Sequence, residues 1–408
     1  MNHSRLPLEV CEAIIDACGC ENYLRLRYDT LRACALTCKS WQPRSRYNLL
    51  RRVRFRRPHQ VERFLDTIIA DPPLADLVHE LHITPADAHR HGFFSIANPA
   101  LVKRLRGLQK LVLGQFDWNS LPPFYYAFIG KFNSVSILEV SNIVFHAPGD
   151  IVRLVWSLPK LNELSCGLNE FTMTSSAEDC MNLCALRMRM RSACRELHTL
   201  SLWSLNNFPP VISAFGTMVV DLCLYQPDSL WPWVDLCDSV AQYNYLRSII
   251  LSFDVSRAPA RQLAASDTAV VTAVKERDPF VVISEQITSL LRSIRSDFMH
   301  TISLRLAPTM DEGKDGVRSF TYHSDRAHAI DHLFGPEVRD IMVSGPLARL
   351  ALLRVHLQEN SLAHGPEWWC KILRERLGPV PREIRVHVDY YAPEVSRGKY
   401  SYAQLWLA

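Results

Sequence analysis

The sequence predicts a small all-α module over residues 1–50, followed by an irregular α/β solenoid over residues 51–408. A short apolar template recurs along most of the chain, and amphipathic helical segments lie between its copies. The residues before the first copy carry helical patterns instead. A unit of this kind has one apolar face that it cannot bury alone, so consecutive units stack and bury it together.

The N-terminal module begins with Leu6-Pro7-Leu8-Glu9-Val10. Proline is tolerated in a first helical turn, and an acidic side chain there suits the positive end of the helix dipole. Val10, Ile14 and Ala17 continue one face of this helix, and a second short helix is expected over residues 31–37. So few large apolar residues give a module of marginal stability, which we expect to pack on the repeats or on a partner.

The repeated template reads apolar-x-x-apolar-x-apolar, as in Leu108, Leu111 and Leu113. The middle apolar residues of its copies are Val53, Leu81, Leu111, Leu138, Leu164, Leu200, Leu222, Ile249, Ile302, Leu353 and, in a partial last copy, Ile384. Most steps between them are 22–36 residues, and two are about twice that length. The polar or turn-like segments 256–280 and 308–325 fall within the long steps, and we expect them to be inserted surface loops.

The connecting segments predict helices. Residues 59–70, which follow Pro58, place Val61, Phe64, Leu65, Ile68 and Ile69 on one stripe. Ser284 is expected to cap a later helix, whose apolar stripe runs from Ile287 to Ile294.

Seven arginines lie close together between the module and the repeats: Arg44, Arg46, Arg51, Arg52, Arg54, Arg56 and Arg57. Val53 and Phe55 alternate with arginines, which predicts a half-buried strand with a solvated outer face. A patch for an acidic partner or for nucleic acid is the alternative. We favour the solvated face, because no aromatic residues interleave on the arginine face of this strand to stack on bases.

Signals for catalysis are weak. The sequence lacks the glycine-rich phosphate loops and the Gly-x-Ser-x-Gly motif, and it has only 15 glycines in 408 residues. His79-Glu80-Leu81-His82 is one residue short of a zincin motif and lies on a predicted strand, and His89 and His91 have no evident third ligand. We therefore expect a non-catalytic protein without a cofactor or a metal.

The twelve cysteines include no Cys-x-x-Cys pair, and Glu9 and Glu12 interrupt the first apolar stretch, which does not fit a signal peptide. No run of apolar residues is long enough to span a bilayer. We therefore expect reduced, mostly buried thiols, a cytoplasmic or nuclear location, and no membrane partner.

Two stretches resemble known families. Residues 161–171, Leu-Asn-Glu-Leu-Ser-Cys-Gly-Leu-Asn-Glu-Phe, are similar to a leucine-rich repeat, with Asn169 at the position whose side chain bonds neighbouring backbone in that family. Phe116 and Leu205 stand at that position in other copies, so the array is irregular. Leu6-Pro7-x-Glu9-Val10, followed by residues 31–41, Leu-x-x-Cys-Ala-Leu-Thr-Cys-Lys-x-Trp, resembles an F-box, although residues 19–29 are longer than its usual connection.

The combination is similar to fungal F-box proteins. That resemblance implies the substrate-recognition adaptor of an SCF-type ubiquitin ligase, in which the module binds a Skp-type adaptor, and through it a cullin–RING ligase, while the repeats bind a protein substrate. It implies adaptor contacts by Leu6, Pro7, Val10, Ile14, Leu31, Cys38 and Trp41. Ile15 and Leu36 are expected to pack the module's own core. The alternatives are a repeat-based interaction scaffold without a ligase role, and a nucleic-acid binder that uses the arginines.

Overall fold

The computed structural model describes residues 7–19, 24–85, 99–118, 121, 125–167, 169–171, 194–203, 212–225, 233–254, 279–307, 311–312, 318–319, 334–343, 345–359, 366–377 and 383–390. Contacts divide the chain into two compact units, residues 1–139 with 394–408 and residues 140–393. The expected boundary at residue 50 stays a prediction.

The first unit opens with helices. Three helices are followed directly by a strand, and further helices then lie before, between and after two more strands. The elements are α1 (Leu8–Gly19), α2 (Leu24–Thr37), α3 (Gln42–Arg51), β1 (Arg52–Phe55), α4 (Pro58–Ala70), α5 (Pro73–Asp76), β2 (Glu80–Ile83), α6 (Pro99–Arg104), β3 (Lys110–Asp117) and α7 (Tyr125–Ile129). Strands β1, β2 and β3 are consecutive parallel neighbours.

Strand β4 (Ile137–Phe145) contains the boundary between the units. The elements that follow it are α8 (Pro148–Trp156), β5 (Glu163–Gly167), β6 (Glu170–Phe171), β7 (Thr199–Trp203), β8 (Asp221–Tyr225), α9 (Trp233–Val240), β9 (Ser248–Asp254), α10 (Pro279–Ser293), β10 (Thr301–Ala307), β11 (Asp311–Glu312), β12 (Arg318–Ser319), α11 (Pro336–Val343), β13 (Leu352–Glu359), α12 (Pro366–Leu377) and β14 (Glu383–Tyr390). Short 3₁₀ helices cover Ser213–Phe215 and Gly345–Arg349.

The strands of the second unit form a parallel array in chain order. Strands β5, β7, β8, β9, β10, β13 and β14 pair in that sequence, while β6 pairs with β4. Sequential parallel strands joined by helical connections are the arrangement that the sequence predicts, so an α/β repeat array is confirmed.

The middle residues of the template align in register. In the first unit, Val53 pairs with Leu81, and Leu81 pairs with Leu111. In the second unit the aligned residues run from strand to strand as Leu164, Leu200, Leu222, Ile249, Ile302, Leu353 and Ile384. Despite the two doubled steps, which end at Ile302 and Leu353, β10 pairs directly with β9 and with β13.

The register is locked where each strand begins. The backbone oxygen of His79 accepts hydrogen bonds from the N–H groups of Gln109 and Lys110, both at 2.9 Å. The oxygen of His198 binds the N–H groups of Val220 and Asp221 in the same way, at 2.8 and 2.9 Å. Since a slip by one residue would turn the buried side chains outward, the apolar template and these bonds select the same register.

The core lies on one side of strands β5, β7 and β8. Strands β5, β7 and β8 alternate half-buried and buried side chains, and the buried ones are the template residues. Helix α4 forms as predicted after Pro58 and buries Val61, Leu65 and Ile68. Ile69, expected on the same stripe, is 52% exposed. Helix α10 begins at Pro279, before the predicted cap at Ser284.

The predicted loop at 256–280 lies outside the described residues, apart from the start of α10 at Pro279. Within 308–325, the described pieces are β11 and β12, which pair antiparallel. In the part of the chain that the structure describes, no helix is long and apolar enough to cross a membrane.

Candidate functional site

The core of the N-terminal module consists of three buried residues, one from α1 and two from α2. Ile15, Leu31 and Cys34 form this cluster, and the partly buried Trp41 and Leu49 pack against it. Leu31 is 0% exposed. Leu31 was expected at the adaptor-contact surface, and that expectation is corrected because its side chain is buried in the module's own core. Ile15 was expected in the core and lies there.

An apolar stripe remains exposed on α1. Val10, Ala13, Ile14 and Ala17 all lie in the exposed class, at the i, i+3, i+4 and i+7 positions of one helical face. Val10 is 43% exposed and Ile14 is 40% exposed, and Pro7 precedes them in the same exposed class. A surface helix normally turns its apolar stripe inward, so this second stripe is available for a partner.

The end of α2 adds to the exposed apolar surface. Leu36 is 86% exposed, which overturns the expectation that it packs the core. Cys38 is also exposed, and its sulfur lies 3.0 Å from the hydroxyl oxygen of Ser40. This hydrogen bond lowers the pKa of the Cys38 thiol. Trp41 is half-buried, and Leu6 lies outside the described residues.

A charged network holds α1 against α3. The guanidinium of Arg44 donates to both carboxylate oxygens of Asp16, at 2.7 and 2.5 Å, and the amide of Asn48 donates to Oδ1 at 2.8 Å. The hydrogen bond from Arg44 is the largest cause of the lowered pKa of Asp16, and burial opposes it. This bidentate pair fixes the orientation of α1, whose exposed stripe then faces away from its own core.

Carboxylates within the fold pair with several of the clustered arginines. Besides the Arg44–Asp16 pair, Arg46 lies 2.9 Å from Asp71 and Arg52 lies 2.5 Å from Glu80. The acidic-partner patch is therefore revised: three of its seven arginines are already paired. Arg54 donates to the hydroxyl of Thr84 at 2.8 Å, and burial lowers the pKa of Arg54. Arg51, Arg56 and Arg57 are exposed.

The alternation predicted for β1 is confirmed, with Val53 and Phe55 buried and Arg52 and Arg54 half-buried. The pattern did not indicate that Arg52 of this face pairs with Glu80 or that Arg54 donates to Thr84.

The His79-Glu80-Leu81-His82 segment is not assembled as a metal site. His79 Nδ1 lies 2.8 Å from the oxygen of Leu77, whereas His82 Nε2 lies 3.5 Å from Glu80. Burial favours a higher pKa for Glu80, but the neighbouring His82 and the hydrogen bonds from Arg52 outweigh it and hold that pKa well below its usual range. Burial lowers the pKa of His82. Among the described residues, no group of His, Cys, Asp and Glu could hold a metal ion, and His89 and His91 lie outside them.

Asn169 bonds neighbouring backbone, as the repeat resemblance implies. Its Oδ1 accepts from the N–H of Ile143 at 3.1 Å, and its Nδ2 donates to the oxygen of Val140 at 3.2 Å. Asn142, just before Ile143, has a left-handed φ of 54° within β4. The asparagine thus supplies a partner for an N–H group at a distorted point of the strand.

The outward strand face of the second unit was missed by the sequence interpretation. Trp203 and Tyr225 stack there at a centroid distance of 3.5 Å, with an interplanar angle of 8°. Their shared place in the template, three residues after the middle apolar position of each copy, is the signal that could have found them.

Comparisons with known proteins place the chain in no family. No protein-family model matches it, and no curated protein sequence matches it. A crystal structure of a TLR13–ssRNA13 complex is similar to this chain, with 12% identity and a TM-score of 0.30. The match covers 70% of this chain and 34% of that one, so this chain spans about a third of the length of its structural neighbour. We draw no functional argument from a likeness at this level.

Proposed function

We propose that the protein is the substrate-recognition adaptor of an SCF-type ubiquitin ligase, located in the cytoplasm or nucleus. The helical module binds a Skp-type adaptor, which tethers a cullin–RING ligase, and the leucine-rich-repeat-like array binds a protein substrate. The chain itself has no catalytic role in this proposal. A boundary near residue 50 separates the two functions.

The exposed apolar stripe of α1 carries this proposal. The module has a core of its own, yet Val10 and Ile14 remain exposed beside it, as does Leu36 at the end of α2. Interfaces gain most of their affinity from a few large apolar groups that become fully buried on binding. Pro7, Val10, Ile14, Cys38 and the accessible part of Trp41 stay as proposed contacts, and Leu36 joins them.

Adaptor capture by the full-length chain tests the proposal. The chain is co-expressed with a Skp-type adaptor and purified through its own tag, and the bound adaptor is quantified. We expect the double variant V10D/I14D to lose at least about tenfold in capture, because burying either side chain contributes about 1.5–3 kcal/mol.

Ile69→Asp is the matched control, because Ile69 is an exposed isoleucine on α4 in the same unit. Equal capture by V10D/I14D and the wild type, or no capture at all, contradicts the proposal. A captured adaptor without ubiquitin transfer in a reconstituted ligase assay favours the scaffold alternative.

Nucleic-acid binding is tested with the exposed arginines alone. The triple variant Arg51→Ala, Arg56→Ala and Arg57→Ala removes charges that no carboxylate of the described fold neutralises in an ion pair. If the wild type binds generic DNA or RNA with a steep salt dependence that this variant abolishes, the nucleic-acid alternative replaces the ligase proposal.

A further inference from the structure

The second unit exposes two large apolar side chains, and they contact each other. Tyr245 is 48% exposed and Phe298 is 61% exposed, and the described residues of this unit include no other large apolar side chain in that class. The two rings lie nearly parallel, with centroids 6.0 Å apart and an interplanar angle of 19°. Scattered single apolar residues are normal on a protein surface, whereas a contiguous exposed patch points to an interaction site.

Both residues lie in turns that lead from a helix into a strand. Tyr245 comes between α9 and β9, and Phe298 comes between α10 and β10. Each stands four residues before the middle apolar residue of its copy, and those middle residues, Ile249 and Ile302, pair in register. The two rings therefore meet at the edge of the array where the parallel strands begin.

The turns that carry the rings are ordered by hydrogen bonds. The N–H of Phe298 donates to the hydroxyl of Ser296 at 3.2 Å, and Ser296 is fully buried. In the other turn, the hydroxyl of Tyr243 donates to the oxygen of Ile212 at 3.1 Å, and the N–H of Leu246 donates to the oxygen of Tyr243 at 3.3 Å. Rings held on ordered turns lose little further freedom on binding, which favours affinity.

The repeat does not require a ring at this position. In four other copies of the same unit the position holds Lys160, Glu196, Met218 and Arg349. Met218 is half-buried and belongs to the copy next to that of Tyr245, so it extends the apolar surface by one strand. Two adjacent copies thus expose an aromatic residue that the fold itself leaves optional.

Two arginines lie in the turns around Phe298. Arg295 precedes it by three residues, and Arg349 holds the matching template position before β13, the strand that pairs with β10. Both are exposed, and among the described residues no carboxylate forms an ion pair with either. Arg247 in the neighbouring turn is exposed as well, but its charge already acts on the carboxylate of Asp221 in β8. We therefore assign the binding of a ligand's charge to Arg295 and Arg349.

The charge of this edge favours an acidic ligand. The turns over 241–247, 294–300 and 345–351 contain three arginines and one carboxylate, Asp297, so their net charge is +2 with histidine neutral. Aromatic residues and arginine are also the residue types enriched at protein interfaces and among their strongest contacts.

A peptide fits this surface better than a single-stranded nucleic acid does. Sequence-independent binding of single strands needs a charged groove and a series of rings on which successive bases stack. Here the row of template positions continues from the two rings to Met218 on one side and to Arg349 on the other. The carboxylate of Asp297, next to Phe298, would also repel a uniformly charged backbone.

We infer that this surface binds an acidic peptide segment of a partner protein, with an apolar side chain beside its carboxylates. We call it the aromatic edge, and it consists of Met218, Tyr245, Phe298, Arg295 and Arg349. The apolar side chain of the peptide packs on the two rings, and its carboxylates lie against the arginines. The inference rests on the proposed function, since it names the class of substrate that the array would take.

Differential peptide selection on the full-length chain tests the inference. A random peptide library displayed on phage is first depleted on the double variant Tyr245→Ser and Phe298→Ser, and is then selected on the wild type. The surviving peptides are resynthesised, and their binding is measured by fluorescence anisotropy. We expect them to be enriched in Asp or Glu close to an apolar residue, and to bind the double variant at least about tenfold more weakly than the wild type.

Matched controls accompany the ring variant. Ile69→Ser removes an isoleucine that is 52% exposed on α4, and it should change the binding of the same peptides less than about twofold. Because Tyr245 and Phe298 are exposed, circular dichroism of the double variant should match that of the wild type. If no peptide survives the depletion, or if the survivors lack acidic residues, the inference is wrong.

The arginines are tested independently of the rings. The variant Arg295→Gln with Arg349→Gln should weaken the selected peptides at least about fivefold, because charge-assisted contacts are lost. Arg153→Gln is the control, since Arg153 lies on α8 of the same unit with a side chain that is 62% exposed. Equal binding by R295Q/R349Q and the wild type overturns the inference. Tighter binding of single-stranded RNA at the same salt concentration, lost in the ring variant, also overturns it.

Adaptor capture separates this inference from the proposed function. If the wild type and the ring variant both capture the adaptor but no acidic peptide binds, the inference fails and the ligase proposal stands. If the peptide binds and the adaptor is not captured, the ligase proposal fails, and the aromatic edge remains a site for acidic peptides.

Discussion

Replacing Asn169 should loosen the second unit at one strand. Its side chain makes two hydrogen bonds to backbone, with Ile143 at 3.1 Å and with Val140 at 3.2 Å. A net contribution of about 1 ± 0.5 kcal/mol for each bond gives a loss of about 1–3 kcal/mol for Asn169→Ala. Because every 1.4 kcal/mol is tenfold in an equilibrium constant, local opening should rise roughly 5- to 140-fold.

Hydrogen exchange measured by mass spectrometry reports this opening. Peptides that cover β4 (Ile137–Phe145) should exchange faster in N169A, since the Ile143 N–H loses its partner. Asn169→Asp should be no better, because it keeps the acceptor for Ile143 but directs a carboxylate oxygen at the Val140 carbonyl.

Asn162→Ala is the control for this measurement. Asn162 is an exposed asparagine whose amide lies 3.0 Å from His198 Nδ1, and we expect its removal to change exchange in β4 less than twofold. The reasoning is refuted if N169A leaves β4 protection within twofold of the wild type, or if N162A matches its loss.

Three further predictions concern the first unit and its thiols. Leu31→Ala should lower the free energy of unfolding by about 2–5 kcal/mol because Leu31 is fully buried, whereas Leu36→Ala should lower it by less than about 0.5 kcal/mol. Urea unfolding compares the two variants. Equal losses of unfolding free energy would contradict the assigned core. Glu80 has a depressed pKa, so its contribution to stability is complete above the pKa of the unfolded carboxyl, near 4.5, and is lost as the pH falls below that value. In thermal melts between neutral and acidic pH, the melting temperature of Glu80→Gln should therefore fall less steeply with acidification than that of the wild type. An unchanged slope of melting temperature against pH would exclude this role for Glu80. Iodoacetamide should modify Cys38 in the native protein but reach Cys166 only after unfolding, because Cys38 is exposed with a lowered pKa and burial raises the pKa of Cys166. Mass spectrometry quantifies labelling at both sites, with Cys38→Ser as the control. Labelling of Cys166 in the native protein would contradict its burial and show that the array opens.

Helix α2 shows where sequence patterns stop being informative. Leu31 and Leu36 are both apolar residues of one short helix, yet Leu31 is 0% exposed and Leu36 is 86% exposed. The local pattern cannot separate them, because the choice of inner face is made by where α1 and α3 pack. The same limit applies to Arg44, Arg46 and Arg52, whose carboxylate partners lie 25–28 residues away in the chain.

The repeated strands behave differently, because the information that sets them is local. Each copy of the template carries its own alternation of apolar and other residues, and the strand register is the one that aligns the middle residues. The bond between Asn169 and the backbone of β4 was expected from a single residue in one copy. The reason why the Ile143 N–H needs this side-chain partner, the left-handed backbone of Asn142 in β4, is visible only in the fold.

The sequence by itself determined the helical N-terminus, the alternation of strands and helices, and the side of each strand that faces the core. These properties follow from residue periodicity within a few turns or one strand. Only the tertiary structure decided which apolar groups of the module remain exposed, which arginines are neutralised, and that Tyr245 and Phe298 meet in one exposed pair. Those outcomes depend on contacts between residues far apart in the chain, and no local pattern contains them.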